Sequence, residues 1–122
     1  MTPHIEIKKA INKRLNELGY PIVQGFPRVE VHSFDTTPSG DKANLVYDVT
    51  FIIEVLDKST SPSNSLTMIS NIRANLEDGL TISGYNLVFL DYELLNEVEE
   101  TTDTEEIIWR QIQRIRINLN KL

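Results

Sequence analysis

The residues that could do chemistry in this chain are two histidines, a crowd of carboxylates, scattered serines and two groups of basic side chains. His4 and His32 are the only histidines. They fall in different elements and match no metal-ligand spacing of the HExxH kind, so no metal centre is expected from them. The adjacent acids Glu99–Glu100 and Glu105–Glu106 resemble the carboxylate pairs of hydrolases. Such pairs work only in a cleft that separates their pKa values. These four flank the turn-type sequence TTDT, where water keeps carboxylates ordinary. The alternating acid order of a calcium loop is absent as well. The five glycines punctuate elements and build neither GxGxxG nor GxxxxGK[ST], so no phosphate loop is expected. No serine sits in a GxSxG elbow with a histidine to serve it. With no cysteine there is no thiol nucleophile, thiolate metal site or disulfide.

What is left is charge. Lys8, Lys9, Lys13 and Arg14 crowd one segment, and Arg110, Arg114 and Arg116 alternate near the end of the chain. Nucleic-acid binding would want aromatics among these charges, and only Trp109 qualifies. The acids are more sharply localised. Eight of the 18 lie between Asp91 and Glu106, a window without Lys or Arg. Outside it stand ten acids against twelve bases, so the formal charge of −6 is a local property. The reading is a protein with no catalytic, cofactor or metal residue and an interaction set of Glu97, Glu99, Glu100, Asp103, Glu105, Glu106, Arg110, Arg114 and Arg116. An acidic segment and a separate basic strand face suit head-to-tail association, in which the arginines meet acids on another chain.

The elements that would carry these residues follow from periodicity. Thr2 before Pro3 is a helix-start pattern. Ile7, Ile11, Leu15 and Leu18 then form one apolar stripe, which predicts a helix over about 3–18, ended by Gly19 and Pro21. Arg28–Phe34 reads as a short strand and Asp35–Asp41 (DTTPSGD) as a turn. Asn44–Leu56 reads as a longer strand: Leu45, Tyr47, Val49, Phe51, Ile53 and Val55 share an apolar face. The other face mixes Asp48, Thr50 and Glu54 with Val46, Ile52 and Leu56. That contrast predicts an antiparallel sheet covered on one side, with partial cover on the other from a neighbouring subunit. Ser61 before Pro62 starts a second helix, about 62–78, with a stripe of Leu66, Ile69, Ile72, Leu76 and Leu80. A third strand is expected over Tyr85–Val98, with Val88, Leu90, Tyr92 and Leu94 on one face and Leu87, Phe89, Asp91, Glu93 and Glu97 on the other. A fourth runs from Ile107 to Leu119, with a bulge expected near Gln111–Gln113. The fold class is therefore α+β: an antiparallel four-stranded sheet with two helices packed on one face, in the order α-β-β-α-β-β. At 122 residues a single domain, 1–122, is expected. No apolar run approaches the ~18 residues of a membrane span. The low pI argues against general nucleic-acid binding, since phosphate neutralisation supplies most of that affinity.

The order of elements, the length and several local sequences resemble the tail-completion or tail-terminator proteins of tailed bacteriophages. The matching features are the N-terminal helix, the passage GYPIVQGFPRV into a short strand, the long strand YDVTFIIEV, the helix SLTMISNIRANL and two closing strands around a loop. The resemblance spans nearly the whole chain. It implies a virion structural protein at the head–tail junction, assembled in the host cytoplasm, that forms a ring of six or more copies between portal or connector and tail proteins. It implies DNA passing through the ring without specific binding, and neither catalytic residues nor a cofactor. The acidic tip, Glu97–Glu106, would then face the channel or dock on a basic neighbour. Two rivals stay open: a non-viral protein-binding adaptor domain that uses an exposed sheet edge, and a small enzyme whose site is assembled at a subunit boundary.

Overall fold

In a computed structural model, residues 3–20, 24–39 and 45–122 are described. Thr2, Pro21, the last two residues of the expected Asp35–Asp41 turn and Asn44 lie outside the described residues. Six elements follow in chain order: α1 (His4–Glu17), β1 (Arg28–Ser39), β2 (Val46–Lys58), α2 (Ser63–Leu76), β3 (Tyr85–Thr101) and β4 (Ile107–Lys121). The strands form one antiparallel sheet in the order β1-β2-β4-β3, and both helices pack on one face of it. The expected fold class is the one observed.

The helices end where local chemistry stops them. After α1, Gly19 turns left-handed (φ +79°), and the Tyr20 amide reaches back to the Leu15 carbonyl at 2.7 Å. This six-to-one bond is the Schellman closure, which favours a residue without Cβ at that position. At the start of α2 the Ser61 hydroxyl accepts from the Ser63 amide at 3.2 Å, as the Ser-Pro pattern anticipated. Ile7, Ile11 and Leu15 of α1 and Met68, Ile69, Ile72 and Leu76 of α2 are buried. Leu66, assigned to the second stripe, is 38% exposed; Ser65 holds the inward position instead.

Beneath the helices lie Val49, Phe51, Ile53 and Val55 of β2 and Ile115, Ile117 and Leu119 of β4, all fully buried. β4 runs unbroken against β2 from Asn120↔Val46 to Ile108↔Lys58. The bulge expected near Gln111–Gln113 is therefore absent. The phase blurred there because Gln111 and Gln113 themselves occupy inward positions, 0% and 1% exposed.

The bulges fall elsewhere. β3 carries an extra residue between Leu87 and Phe89 and another between Tyr92 and Leu94. Each slip of one residue exchanges the faces of the strand. The helix-side row, read from the partners on β4, is thus Leu87, Leu90, Tyr92, Leu95 and Glu97, not the strict alternation expected. Val88 and Leu94, expected to share a face with Leu90 and Tyr92, are 53% and 54% exposed. In β1 a third irregularity lies between His32 and Asp35, where Ser33 has φ +60°. β1 then continues to Ser39 through the sequence expected to turn. Pro38 is tolerated there because β1 is an edge strand, where a missing amide donor breaks no second ladder.

Candidate interaction surface

β3 and β4 form the hairpin that carries the acidic window. Its strands reach Thr101 and restart at Ile107, so the turn is Thr102–Glu106. Glu97, Glu99 and Glu100 therefore stand on a strand rather than at the tip. The turn is internally braced: the Thr102 amide donates to the Glu106 carbonyl at 2.8 Å, and the Thr104 hydroxyl donates to Glu106 Oε1 at 2.8 Å. Glu105 adopts φ +62°.

The sheet register sorts the charges by side. On the face away from the helices, β4 presents Arg110, Arg114 and Arg116, and β2 presents Asp48 and Glu54 beside them. These arginines are satisfied within the chain. Arg110 grips Glu54 with Nε 3.0 Å from Oε1 and Nη2 3.1 Å from Oε2, and its Nη1 lies 2.6 Å from Glu100 Oε1. Its pKa is raised by the Glu54 hydrogen bond first and the Glu100 bond second. Arg116 contacts Asp48 at 3.4 Å and lies over the Phe89 ring. Arg114 is 3.6 Å from Glu93. The acids that the arginines meet are thus in the same chain. The cover over the mixed face at Glu54 and Leu56 is also internal: Leu56 sits between its cross-strand neighbours Arg28 and Arg110, whose stems can shield it.

Glu30, His32 and Glu54 bring three possible ligand atoms within 4.8 Å of one another. The two carboxylates are already engaged with cations. Both oxygens of Glu54 face Arg110, Arg28 Nε lies 3.0 Å from Glu30, and His32 Nε2 lies 3.4 Å from Glu54. With two guanidinium groups neutralising the carboxylates, the cluster is an ion-pair network.

Among the interaction set, Glu106 is also paired, with Lys58 Nζ at 3.0 Å. Lys58 and then Thr104, by hydrogen bonding, hold the Glu106 carboxyl below the usual glutamate range. A lowered folded pKa means that this contribution to stability is complete above the ordinary glutamate pKa of 4.5 and is lost as pH falls through the folded value. Titration of the Glu106 carboxyl by NMR is expected to show its midpoint return toward the ordinary value in Lys58→Met. An unchanged midpoint would remove Lys58 as the main cause.

The other acids of the set have no cation among the described residues. Glu97 projects on the helix side and accepts from the Gln111 amide at 2.6 Å. Glu99, on the same side, and Asp103 and Glu105, in the turn, have no side-chain partner among the described residues. From Glu93 to Thr101 every residue of β3 is exposed, whichever face it occupies. β3 is an edge strand, so its outer backbone row is unpaired as well. The nine-residue set therefore divides. Arg110, Arg114, Arg116, Glu100 and Glu106 belong to intrachain ion pairs, whereas Glu97, hydrogen-bonded only to Gln111, and Glu99, Asp103 and Glu105 form an acidic margin without a cation among the described residues. The sequence reading did not assign Glu54, Lys58 or Gln111 a role here. The signal for Glu54 was its place in an otherwise apolar run, where a lone acid needs a cation from the adjacent strand.

No protein-family model matches the chain, and no curated protein sequence does. Among solved structures, a chain from the virion of a native gene transfer agent (GTA) particle has the same fold. The TM-score is 0.65, over 92% of this chain and 94% of that one, at 14% sequence identity. The near-complete coverage in both directions means that the whole arrangement of helices and strands is shared, not one motif.

Proposed function

We propose that this chain is a virion structural protein of a phage-like particle, acting at the head–tail junction as a subunit of a ring that terminates the tail or joins it to the connector. The observation that carries the reading is the fold shared end to end with a chain of the GTA virion. That likeness supports a virion structural protein; the place at the head–tail junction and the ring are supported by the order of elements, which resembles that of tail-completion proteins. The role is geometric rather than catalytic: a rigid sheet-and-helix wedge with ion pairs holding one face and a free margin on the other side. Its partners are further copies of itself, the portal or connector, and tail proteins, with DNA passing through the ring.

The test is removal of the coding sequence from the genome that carries it, with electron microscopy and mass spectrometry of the particles. Wild-type particles are expected to contain the chain in ring stoichiometry. The deletion is expected to give full heads and tails that are unjoined, or tails of irregular length. Intact infectious particles after deletion would sink the proposal.

A second reading, an adaptor that binds a protein partner along a sheet edge, is favoured by the exposure of Glu93–Thr101 on β3. It predicts a partner outside the particle and no effect of the deletion on particle assembly.

A further inference from the structure

We infer that the outer half of β3, Leu94–Thr101, with the turn that follows, docks against the outward surface of α1 in a second copy of the chain, head to tail. The inference deepens the ring reading and rests on it for closure of the chain of contacts into a ring.

Four observations converge on this pairing. The first is position. β3 and β1 are the two edges of the sheet, and α1 lies on the β1 side, with His4 and Lys8 against the Phe34 ring of β1. The acidic margin and the basic helix therefore occupy opposite flanks of one molecule. The second is the layer. Glu97 and Glu99 project on the helix side of the sheet, the side on which α1 lies, so a neighbour placed edge to edge brings carboxylates and helix to the same level.

The third is charge. Lys8, Lys9 and Lys13 are exposed on α1, and Lys13 has no partner among the described residues. Lys9 has only a loose 3.4 Å contact to Glu6. Across the molecule, Glu99, Asp103 and Glu105 lack cations among the described residues, while the strand's arginines are consumed internally. Complementary unpaired charge of this kind selects the partner and its orientation. It also excludes the symmetric alternative, since two copies of β3 edge to edge would set like charges against each other. The contact is then heterologous, the type that builds rings when it closes.

The fourth is the apolar content and reach. Leu95 is 40% exposed beside Glu97 on β3, and Ile5 is 58% exposed beside the lysines of α1. On the helix side each surface thus offers one exposed apolar side chain within its charged rim, while Leu94 and Val98 are exposed on the opposite face of β3. Leu94–Thr101 extends for about 26 Å at strand rise, and the 14 residues of α1 for about 21 Å at helix rise. The two surfaces are of matching length.

The experiment uses the full chain and two charge-reversed variants at positions that do not seat α1 or β3 on the core; Lys8 is left unchanged because it lies over the Phe34 ring. One carries Lys9→Glu and Lys13→Glu; the other carries Glu99→Lys, Asp103→Lys and Glu105→Lys. Circular dichroism checks that each folds. Sedimentation velocity and light scattering at low and high salt count the copies. The wild type is expected to associate, more weakly as salt rises. Each variant alone is expected to associate about a hundredfold more weakly, because like charges then face each other. An equimolar mixture of the two is expected to regain association, as alternating assemblies with an even number of chains. A wild type that stays monomeric at millimolar concentration overturns the inference. So do variants that associate as tightly as the wild type, or a mixture that does not recover. If the variants behave as expected but purified particles lack the chain, the virion reading falls and the interface stands. If the particles contain the chain but charge reversal changes nothing, the interface alone falls.

Discussion

Replacing Arg110 with alanine is expected to lower the free energy of unfolding by about 3 kcal/mol, near the lower bound for breaking a buried ion pair. The reason is what the substitution leaves behind. The Glu54 side chain is 3% exposed and sits on β2 in the middle of the sheet, with both oxygens held by one guanidinium. Without Arg110 that carboxylate must stay charged in a dry site, take up a proton or force the strands apart. The lower bound applies because 31% of the Arg110 side chain remains in water, so the pair is partly solvated before it is cut. The midpoint of thermal unfolding is expected to fall by about 10 °C for a domain of this size. Arg116→Ala is the internal control. Its pair with Asp48 is exposed at both ends and is worth less than about 1 kcal/mol. A second control separates the charge pair from packing: changing Glu54 and Arg110 together to leucine and methionine is expected to recover most of the loss, since an apolar pair leaves no stranded charge. Chemical denaturation of the four proteins checks this. Equal, small losses in Arg110→Ala and Arg116→Ala would mean that the Glu54 site is wetter than its burial implies.

This ion pair also marks the limit of what the sequence could say. Both helices, both hairpins and the inner faces of β2 and of β4 from Ile115 to Leu119 were legible, because each repeats its apolar residues at the period of its own element. Arg110, Arg114 and Arg116 were legible as one alternating row. Their partners were not, because Asp48 and Glu54 become neighbours only once β4 lies against β2, and the order β1-β2-β4-β3 is a tertiary choice. An arginine row with no visible acid beside it therefore read as a surface for another chain. β3 was misread for a different reason. Its inward residues Leu87, Leu90, Tyr92, Leu95 and Glu97 are spaced three, two, three and two apart. A strand template with a strict period of two cannot follow two insertions, and apolar Val88 and Leu94 fill the strict pattern by accident. The acidic window was legible as a local excess, but which of its carboxylates were free was not, since that depends on the reach of Lys58 and Arg110. The division into paired and unpaired acids is what moves the basic half of the proposed head-to-tail contact from the strand to helix α1.

Phe51→Ala is expected to be the most damaging single truncation, at about 3–5 kcal/mol, the range for a large aromatic removed from a packed interior. Phe51 is fully buried in β2, and its ring is stacked on Phe34 of β1, centroids 5.1 Å apart and 10° from parallel. The stack exists because of the irregularity at Ser33. Val29 and Val31 face Val55 and Ile53 on the helix side; strict alternation would send Ser33 inward next and turn Phe34 away from the core. One extra residue, taken up with Ser33 at φ +60°, brings Phe34 to the inner face instead. Phe34 in turn carries α1, through His4 at 5.9 Å between ring centroids and Lys8 at 5.2 Å from the ring. Loss of Phe51 therefore removes its own packing and also the floor under the ring on which α1 rests. The two aromatics are expected to be coupled: in a double-mutant cycle with Phe34→Ala the losses should fall short of additivity by about 0.5–1.5 kcal/mol, the worth of an aromatic pair beyond its buried area. Strict additivity would show that the stack is geometric but not energetic. Phe51→Leu provides the functional arm. It keeps a buried apolar side chain and most of the fold but removes the flat ring under Phe34, so it is expected to loosen α1 selectively, as faster hydrogen exchange in α1 than in α2. If the surface of α1 is where a second copy docks, that variant should also associate more weakly than the wild type while remaining folded.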